Sequence, residues 1–332
     1  MNIAESPSDM IGNTPLFKCP QRNPNWDLIF KMEKFNPSQS MKDRVAEHMI
    51  DEAEKRGDIK KGDTIIESSS GNTATALAMI AANRGYRFIA VVDENISREK
   101  VLMLKAYGAE LIFVDHGTQE KSLVQIRRER GTELAKQMHG AFYLDQANNP
   151  DNPIGYHNIA EEIRRDLNRI DVLIGTVGTG GSLCGTASNL KSDHPDLKVI
   201  GIEPEGSTIF TCDGSQYFMT GPGRSMGTEI PRNIDFSVID EGHSVSDKQA
   251  FNTARFFAKR MGLLLGGSSG AVIYKALSIM EKQPETGVML GILPDGGEKY
   301  LQSIFNDDWM VARNLLDVSV DYRLRYLLNL AQ

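Results

Sequence analysis

Four short segments of this chain carry side chains suited to covalent chemistry or anion binding, and each lies where a strand pattern hands over to a helical one. The first is Asn36-Pro-Ser-Gln-Ser-Met-Lys-Asp-Arg44. Lys42 falls in the first turn of its helix, where the positive end of the dipole disfavours an ammonium and lowers the amine pKa. A neutral lysine amine is what Schiff-base formation needs. A solvated lysine at a helix start has the same local pattern, so Lys42 by itself leaves both readings open.

The second segment is Glu67-Ser-Ser-Ser-Gly-Asn-Thr73. Serine hydroxyls, backbone amides and a helix start together make a place for a carboxylate. The alternative is a polar turn capped by Ser70. The third is Gly178-Thr-Gly-Gly-Ser182. Consecutive glycines bare their N–H groups to an anion and the next helix adds its dipole, so a phosphate is the natural guest. A dinucleotide fingerprint fails because position 183 is Leu183, and a P-loop fails because no lysine follows. The fourth is Gly266-Gly-Ser-Ser-Gly270, after the apolar run Leu263–Leu265. It suits a second phosphate, or a close approach of backbone to a flat ring.

These segments need a frame, and the hydrophobic pattern supplies one. Strands are expected over 27–34, 63–69, 88–93, 110–115, 141–145, 171–176, 198–203 and 288–293. Helices are expected over 41–56, 72–83, 98–107, 121–138, 182–190, 248–261 and 271–281, and the alternation closes on 298–305. Ser40 with Asp43 reads as an approximate capping box for the first helix. Such alternation implies parallel sheets covered by helices. A cluster of Asn, Pro and Asp near 148–153 divides the chain into residues 1–150 and 151–332. Residues 212–234 are rich in Gly, Pro, Ser and Arg and read as a long functional loop.

Composition narrows the class. The 332 residues are 40% apolar and 24% charged, ordinary for a globular protein, with a net charge of −7 that argues against nucleic acid as a partner. Met1–Met10 has no basic start or apolar block, and apolar runs such as 74–82 are too short to span a bilayer. A cytoplasmic protein with no membrane contact is expected. Cys19, Cys184 and Cys212 form no pair and read as small buried apolar residues. The six His show no metal-ligand spacing, so no metal is expected.

Taken in order, Ile11-Gly-Asn-Thr-Pro-Leu16, the Lys42 segment and the other three loops resemble the cysteine synthase and cystathionine β-synthase family of fold-type II pyridoxal 5′-phosphate (PLP) enzymes. The resemblance runs to about Tyr300. It implies two open, twisted, mostly parallel sheets covered by helices, an N-terminal and a C-terminal α/β domain, and the cofactor in the cleft between them. It also implies a role for each matching residue. Lys42 would bind PLP as a Schiff base and move the Cα proton, and Asn72 would meet the ring hydroxyl. Gly178, Thr179, Gly180, Gly181 and Ser182 would hold the phosphate, and Ser268 would face the pyridine nitrogen. Ser69, Ser70, Gly71, Thr73 and Gln146 would bind the substrate carboxylate. A neutral Ser268 does not keep that nitrogen protonated, so the ring is a weaker electron sink. Prompt loss of a β-substituent then outruns transamination, and a nucleophile adds at Cβ.

Departures from the family pattern point to a subtype. Ser38-Gln39 stands where Gly-Gly is common, Ala147 where an aromatic usually follows the Gln, and Arg224-Ser-Met226 where Gly-Ile-Gly is common. Leu144-Asp-Gln146 and Leu293-Pro-Asp295 look more like cystathionine β-synthases, without a haem-binding extension or regulatory tail domain. Val92-Asp93, Ser40-Met-Lys42, Gly206–Phe210 and Asp307-Asp-Trp309 are also similar to the siderophore-pathway synthase that joins O-phosphoserine to glutamate. That likeness places Arg127 near the substrate, against the alternative of a solvated helix arginine. Arg224 either binds a phosphate or second carboxylate, or lies on the surface. The expected activity is β-replacement on O-acetylserine, O-phosphoserine or serine. A 2,3-diaminopropionate-precursor synthase, a cystathionine β-synthase and a β-eliminating lyase or deaminase are the alternatives. A homodimer is expected, with the apolar positions of 317–332 available to a partner subunit.

Overall fold

A computed structural model describes residues 3–115 and 122–330 of the chain. Met1, Asn2, Lys121, Ala331 and Gln332, on which expectations above fall, lie outside the described residues. The strands are β1 (Leu16–Cys19), β2 (Trp26–Met32), β3 (Thr64–Glu67), β4 (Arg87–Asp93), β5 (Glu110–Val114), β6 (Ala141–Tyr143), β7 (Val172–Thr176), β8 (Lys198–Pro204), β9 (Glu241–Val245) and β10 (Gly287–Leu293). They form a four-stranded sheet, β5-β4-β3-β6, and a six-stranded sheet, β1-β2-β10-β7-β8-β9. All pairs are parallel except β1 with β2.

The helices are α1 (Lys42–Arg56), α2 (Asn72–Arg84), α3 (Arg98–Ala106), α4 (Leu123–Gln137), α5 (Asp151–Ile154), α6 (His157–Asp166), α7 (Gly181–Lys191), α8 (Asp247–Met261), α9 (Gly267–Met280), α10 (Asp307–Ala312) and α11 (Val318–Leu327). The all-buried strand β7 and the nearly all-buried β4 are the continuous apolar runs that a doubly covered parallel sheet requires. In α2 every residue from Thr73 to Ala81 is buried, and its small side chains let neighbouring elements approach closely.

Several expectations need correction. The sheets do not divide at residue 150. β1 and β2 come from the first 35 residues yet join the sheet of the C-terminal half, because β2 pairs with β10 from Trp26–Gly287 to Met32–Leu293. The capping box at Ser40 does not form. Met41 occupies the cap position without a side-chain bond, and the Asp43 carboxylate instead accepts from the backbone N–H (2.6 Å) and hydroxyl of Ser38. α9 begins at Gly267 rather than 271, so Ser268 lies in its first turn. Residues 298–305 form only a short 3-10 turn, Glu298–Tyr300, followed by irregular turns. β1, β9 and α10 are too short to carry a readable period, whereas α6 has apolar Ile159, Ala160 and Ile163 at helical spacing and is missing from the expected helices. Cys212 is exposed, unlike Cys19 and Cys184, because its loop is irregular. The tail packs on its own chain: α11 buries Val320, Leu324 and Leu327 in the core beside α8 and α9.

A buried ion network anchors the start of α1. Arg44 meets Glu33 and Glu162 at 2.7 Å each, and Lys31 meets Glu162 at 2.6 Å. Thr14 donates to Glu33 at 2.7 Å and Asn36 donates to it at 2.9 Å. Charges this deep hold only when paired and hydrogen-bonded. The network ties the 12–14 segment, β2, α1 and α6 together, and so sets where Lys42 stands.

Candidate active site

The four loops converge on one cleft of about 1030 Å³. Three of them follow β2, β3 and β7 at the carboxyl ends of parallel strands, where ligands of open α/β sheets collect. The fourth follows α8 instead, because Leu263–Leu265 forms no strand and Leu265 makes only an isolated bridge to Gly296. Lys42 is the first residue of α1. Its approach is fixed by the Met41 N–H bonded to the Pro294 carbonyl at 2.9 Å, and by Gln39, whose φ of 62° puts a non-glycine residue in the left-handed region. The Lys42 amine donates to the Tyr156 hydroxyl at 3.2 Å. Burial pulls its pKa down to about 8, while the nearby Glu67 carboxylate opposes the shift.

The 67–73 loop forms one wall. Ser69 Oγ accepts from the Gly71 N–H at 3.2 Å, and Thr73 donates to Gln146 Oε1 at 2.6 Å. Ser70 does not cap α2; its Oγ accepts from Arg127 at 3.1 Å. Arg127 also pairs with Asp93 at 2.9 Å, and its side chain is 12% exposed, so it is no solvated helix arginine. The Gln146 N–H donates to Glu67 at 3.2 Å. Burial pushes Glu67 up to about 7, partly offset by that bond. Ser69, Ser70, Gly71, Thr73, Gln146 and Arg127 therefore stand together.

The glycine loop also lines the cleft and runs into α7. Gly180 has a φ of +88°, and a Cβ there would come 2.6 Å from the Asn233 carbonyl oxygen. A Cβ at Gly178 would come 2.4 Å from the Gly221 oxygen. The loop thus needs glycines because other backbone is packed behind it. Thr179 and Ser182 line the cleft, and Gly181 opens α7. Ser268, 5% exposed, lines the cleft from the start of α9. Arg224 reaches the cleft, but its guanidinium donates to the Thr208 carbonyl and hydroxyl at 3.1 Å each. Its Nε is buried with no hydrogen-bond partner among the described residues.

Five residues beyond those expected enter the site. Glu67 and Tyr156 flank Lys42, while Asp295, Lys299 and Tyr300 surround Asn72. The last three follow β10, and their place after the end of a parallel strand is the one sequence signal that would have found them. Tyr156 has no comparable local mark.

A buried lysine amine at a helix start, a glycine loop leading into a second helix and a serine hydroxyl on a third fit a lysine-dependent cofactor enzyme of the α/β class. The chain belongs to the family of pyridoxal-phosphate dependent enzymes, whose model matches residues 7–295. It is 42% identical over 319 residues to a putative cysteine synthase of Sinorhizobium fredii (strain NBRC 101917 / NGR234), covering 96% of this chain and 95% of that one. It is 38% identical over 317 residues to a cystathionine β-synthase of Apis mellifera, covering 92% of this chain and 62% of that one. Among solved structures, O-ureido-L-serine synthase superposes with a TM-score of 0.85 at 35% identity, covering 94% of this chain and 100% of that one. The O-acetylserine dependent cystathionine β-synthase of Helicobacter pylori gives 0.81 at 34%, covering 91% and 99%. The protein is a PLP-dependent enzyme of the β-replacement class with the fold-type II architecture.

The residues present suit that cofactor. The enclosed amine of Lys42 suits an aldehyde, and the sealed glycine loop at the start of α7 suits a phosphate. Asn72 and Ser268 line the same cleft and suit the two polar edges of a ring.

Proposed function

We propose that the chain is a β-replacement synthase that takes an O-activated L-serine and joins a small nucleophile to its β-carbon. The observation that carries this reading is that Lys42, the 69–73 loop and the 178–182 glycine loop line one cleft. When bound, PLP supplies the electron sink that lets an amino acid lose a β-substituent. Lys42 holds the cofactor covalently and carries the Cα proton. Burial keeps a large share of its amine neutral near pH 8, as that proton transfer requires. Gly178–Ser182 hold the phosphate, Asn72 meets the ring oxygen, and Ser268 faces the ring nitrogen without charging it. Ser69, Ser70, Gly71, Thr73 and Gln146 grip the substrate carboxylate, and Arg127 braces that grip through Ser70.

Arg224 lines the cleft with no carboxylate partner among the described residues, and its guanidinium favours an anionic group on the donor or the nucleophile. That supports O-phosphoserine with a carboxylate-bearing nucleophile such as glutamate as the second reading. A homodimer in the cytoplasm, acting on free amino acids, belongs to the same proposal; no helix among the described residues is long and apolar enough to cross a membrane.

The test is a product screen by mass spectrometry. O-acetylserine and O-phosphoserine serve as donors, with sulfide, homocysteine and glutamate as nucleophiles. β-Substituted alanine products are expected, and none from Lys42→Ala. Pyruvate and ammonia formed at the same rate without any nucleophile would replace the synthase with a lyase. Protein that takes up no PLP would remove both.

A further inference from the structure

Asn72 is clamped between opposite charges. Its Oδ1 accepts from Lys299 Nζ at 2.8 Å, and its Nδ2 donates to Asp295 Oδ2 at 2.8 Å. Lys299 is 3% exposed and Asp295 1% exposed, so water does not substitute for either. An ammonium only donates and a carboxylate only accepts, which leaves the amide one orientation. Tyr300 adds to the clamp by donating its hydroxyl hydrogen to Asp295 Oδ2 at 2.6 Å. Asn72 keeps a second N–H that neither clamp needs. It can go to the neighbouring Tyr300 oxygen or to a guest in the cleft, and an anionic guest is the stronger acceptor.

Asp295 is itself held by the loops around it. The Gly266 N–H donates to the Asp295 carbonyl at 3.2 Å, and Ser40 forms a bridge with it. Behind the cluster, the Lys100 amine of α3 lies 5.5 Å from the Tyr300 ring centre and adds positive charge.

We propose that Asp295 and Lys299 are positioning residues that force Asn72 to present an N–H, and never its oxygen, to the ionised ring oxygen of PLP. The inference rests on the placement of Asn72 against the ring under the proposed function. Without Lys299 the amide oxygen loses its donor, and without the Asp295 charge the amide N–H loses its charged acceptor. Each partner opposes a turn by itself, so either loss removes half of that opposition and lowers the cost of turning the Asn72 carbonyl toward the ring oxygen, which repels it.

The test titrates apoprotein with PLP and follows the visible band across pH. Asn72→Ala, Asp295→Asn, Lys299→Met and Lys299→Arg are compared, with the circular dichroism of each apoprotein as the check on folding. Asp295→Asn and Lys299→Met are expected to raise the Kd for PLP about tenfold and to move the pH midpoint of the visible band. Lys299→Arg restores both. In an Asn72→Ala background, Lys299→Met changes Kd by less than about twofold, because the effect passes through Asn72. Wild-type Kd and pH midpoint in both Lys299→Met and Asp295→Asn would overturn the positioning role while Asn72→Ala still weakens binding. An unchanged Asn72→Ala would instead remove Asn72 from the cofactor contact itself.

Discussion

Lys42 Nζ lies 3.2 Å from the Tyr156 hydroxyl, and Tyr156 is fully buried. Burial pushes the phenol well above its usual range, so Tyr156 stays neutral and accepts from the amine. The lysine therefore has an oriented neighbour that brings no charge to steady an ammonium. Desolvation then lowers the Lys42 pKa to about 8 from the usual 10.5.

The sign of the pH effect follows. Below pH 8 the folded protein holds Lys42 as an ammonium, which cannot attack an aldehyde. The neutral fraction rises through pH 8 and saturates above it. The rate at which apoprotein captures PLP covalently, followed by stopped-flow absorbance, is expected to be half-maximal near pH 8. A half-maximum above pH 10 would show that the amine is not desolvated.

Arg127 braces the substrate-side loop through Ser70 and is itself held by Asp93. Arg127→Ala frees Ser70 and leaves a buried carboxylate without its partner. The KM for the amino-acid donor is expected to rise about tenfold, with a loss of about 1–3 kcal/mol in stability. Initial-rate kinetics and urea unfolding separate the two effects. An unchanged KM would confine Arg127 to structure.

Gln39 sits at a φ of 62°, in the left-handed region that favours glycine. Side chains there store strain, most of all when β-branched. Gln39→Val is expected to be about 1–2 kcal/mol less stable than Gln39→Gly. Thermal melting of the two apoproteins measures the gap, and equal melting temperatures would refute it.

Glu162 is raised by burial, but Arg44 and then Lys31 outweigh that and hold it near 2. Its folded pKa is thus below the unfolded value of about 4.5. The stability it contributes is complete above pH 4.5 and is lost as pH falls toward 2. Glu162→Gln is expected to lose about 3–5 kcal/mol at pH 7, yet to fall off less between pH 4.5 and 2. Urea midpoints at pH 7, 4 and 3 check this. Parallel pH profiles for the two proteins would count against the network.

The four loops were legible because their demands are local. Gly180 needs a positive φ, and a lysine at a helix start is visible within a few residues. What was not legible is pairing across distance. Asn72 and Asp295 are hydrogen-bonded, yet nothing in either segment names the other. The same holds for Lys42 with Tyr156 and for Arg44 with Glu162. The Lys-Asp-Arg run at 42–44 even mixes two roles: Lys42 faces the cleft, while Asp43 and Arg44 are buried supports. Arg127 illustrates the limit well, because a helix pattern gives its face but not what lies across from it.

The pairing of β2 with β10 has a consequence for how the protein is made. On the ribosome, Trp26–Met32 emerges long before Gly287–Leu293 exists. The strands of the smaller sheet all lie between residues 64 and 143, so every one of them is made before β7. The hairpin of β1 and β2 waits through most of synthesis with an apolar edge unpaired, and this interval is when a nascent chain most needs a chaperone. A chain stalled before residue 287 would therefore hold every strand of the small sheet but lack the central β10 of the large one.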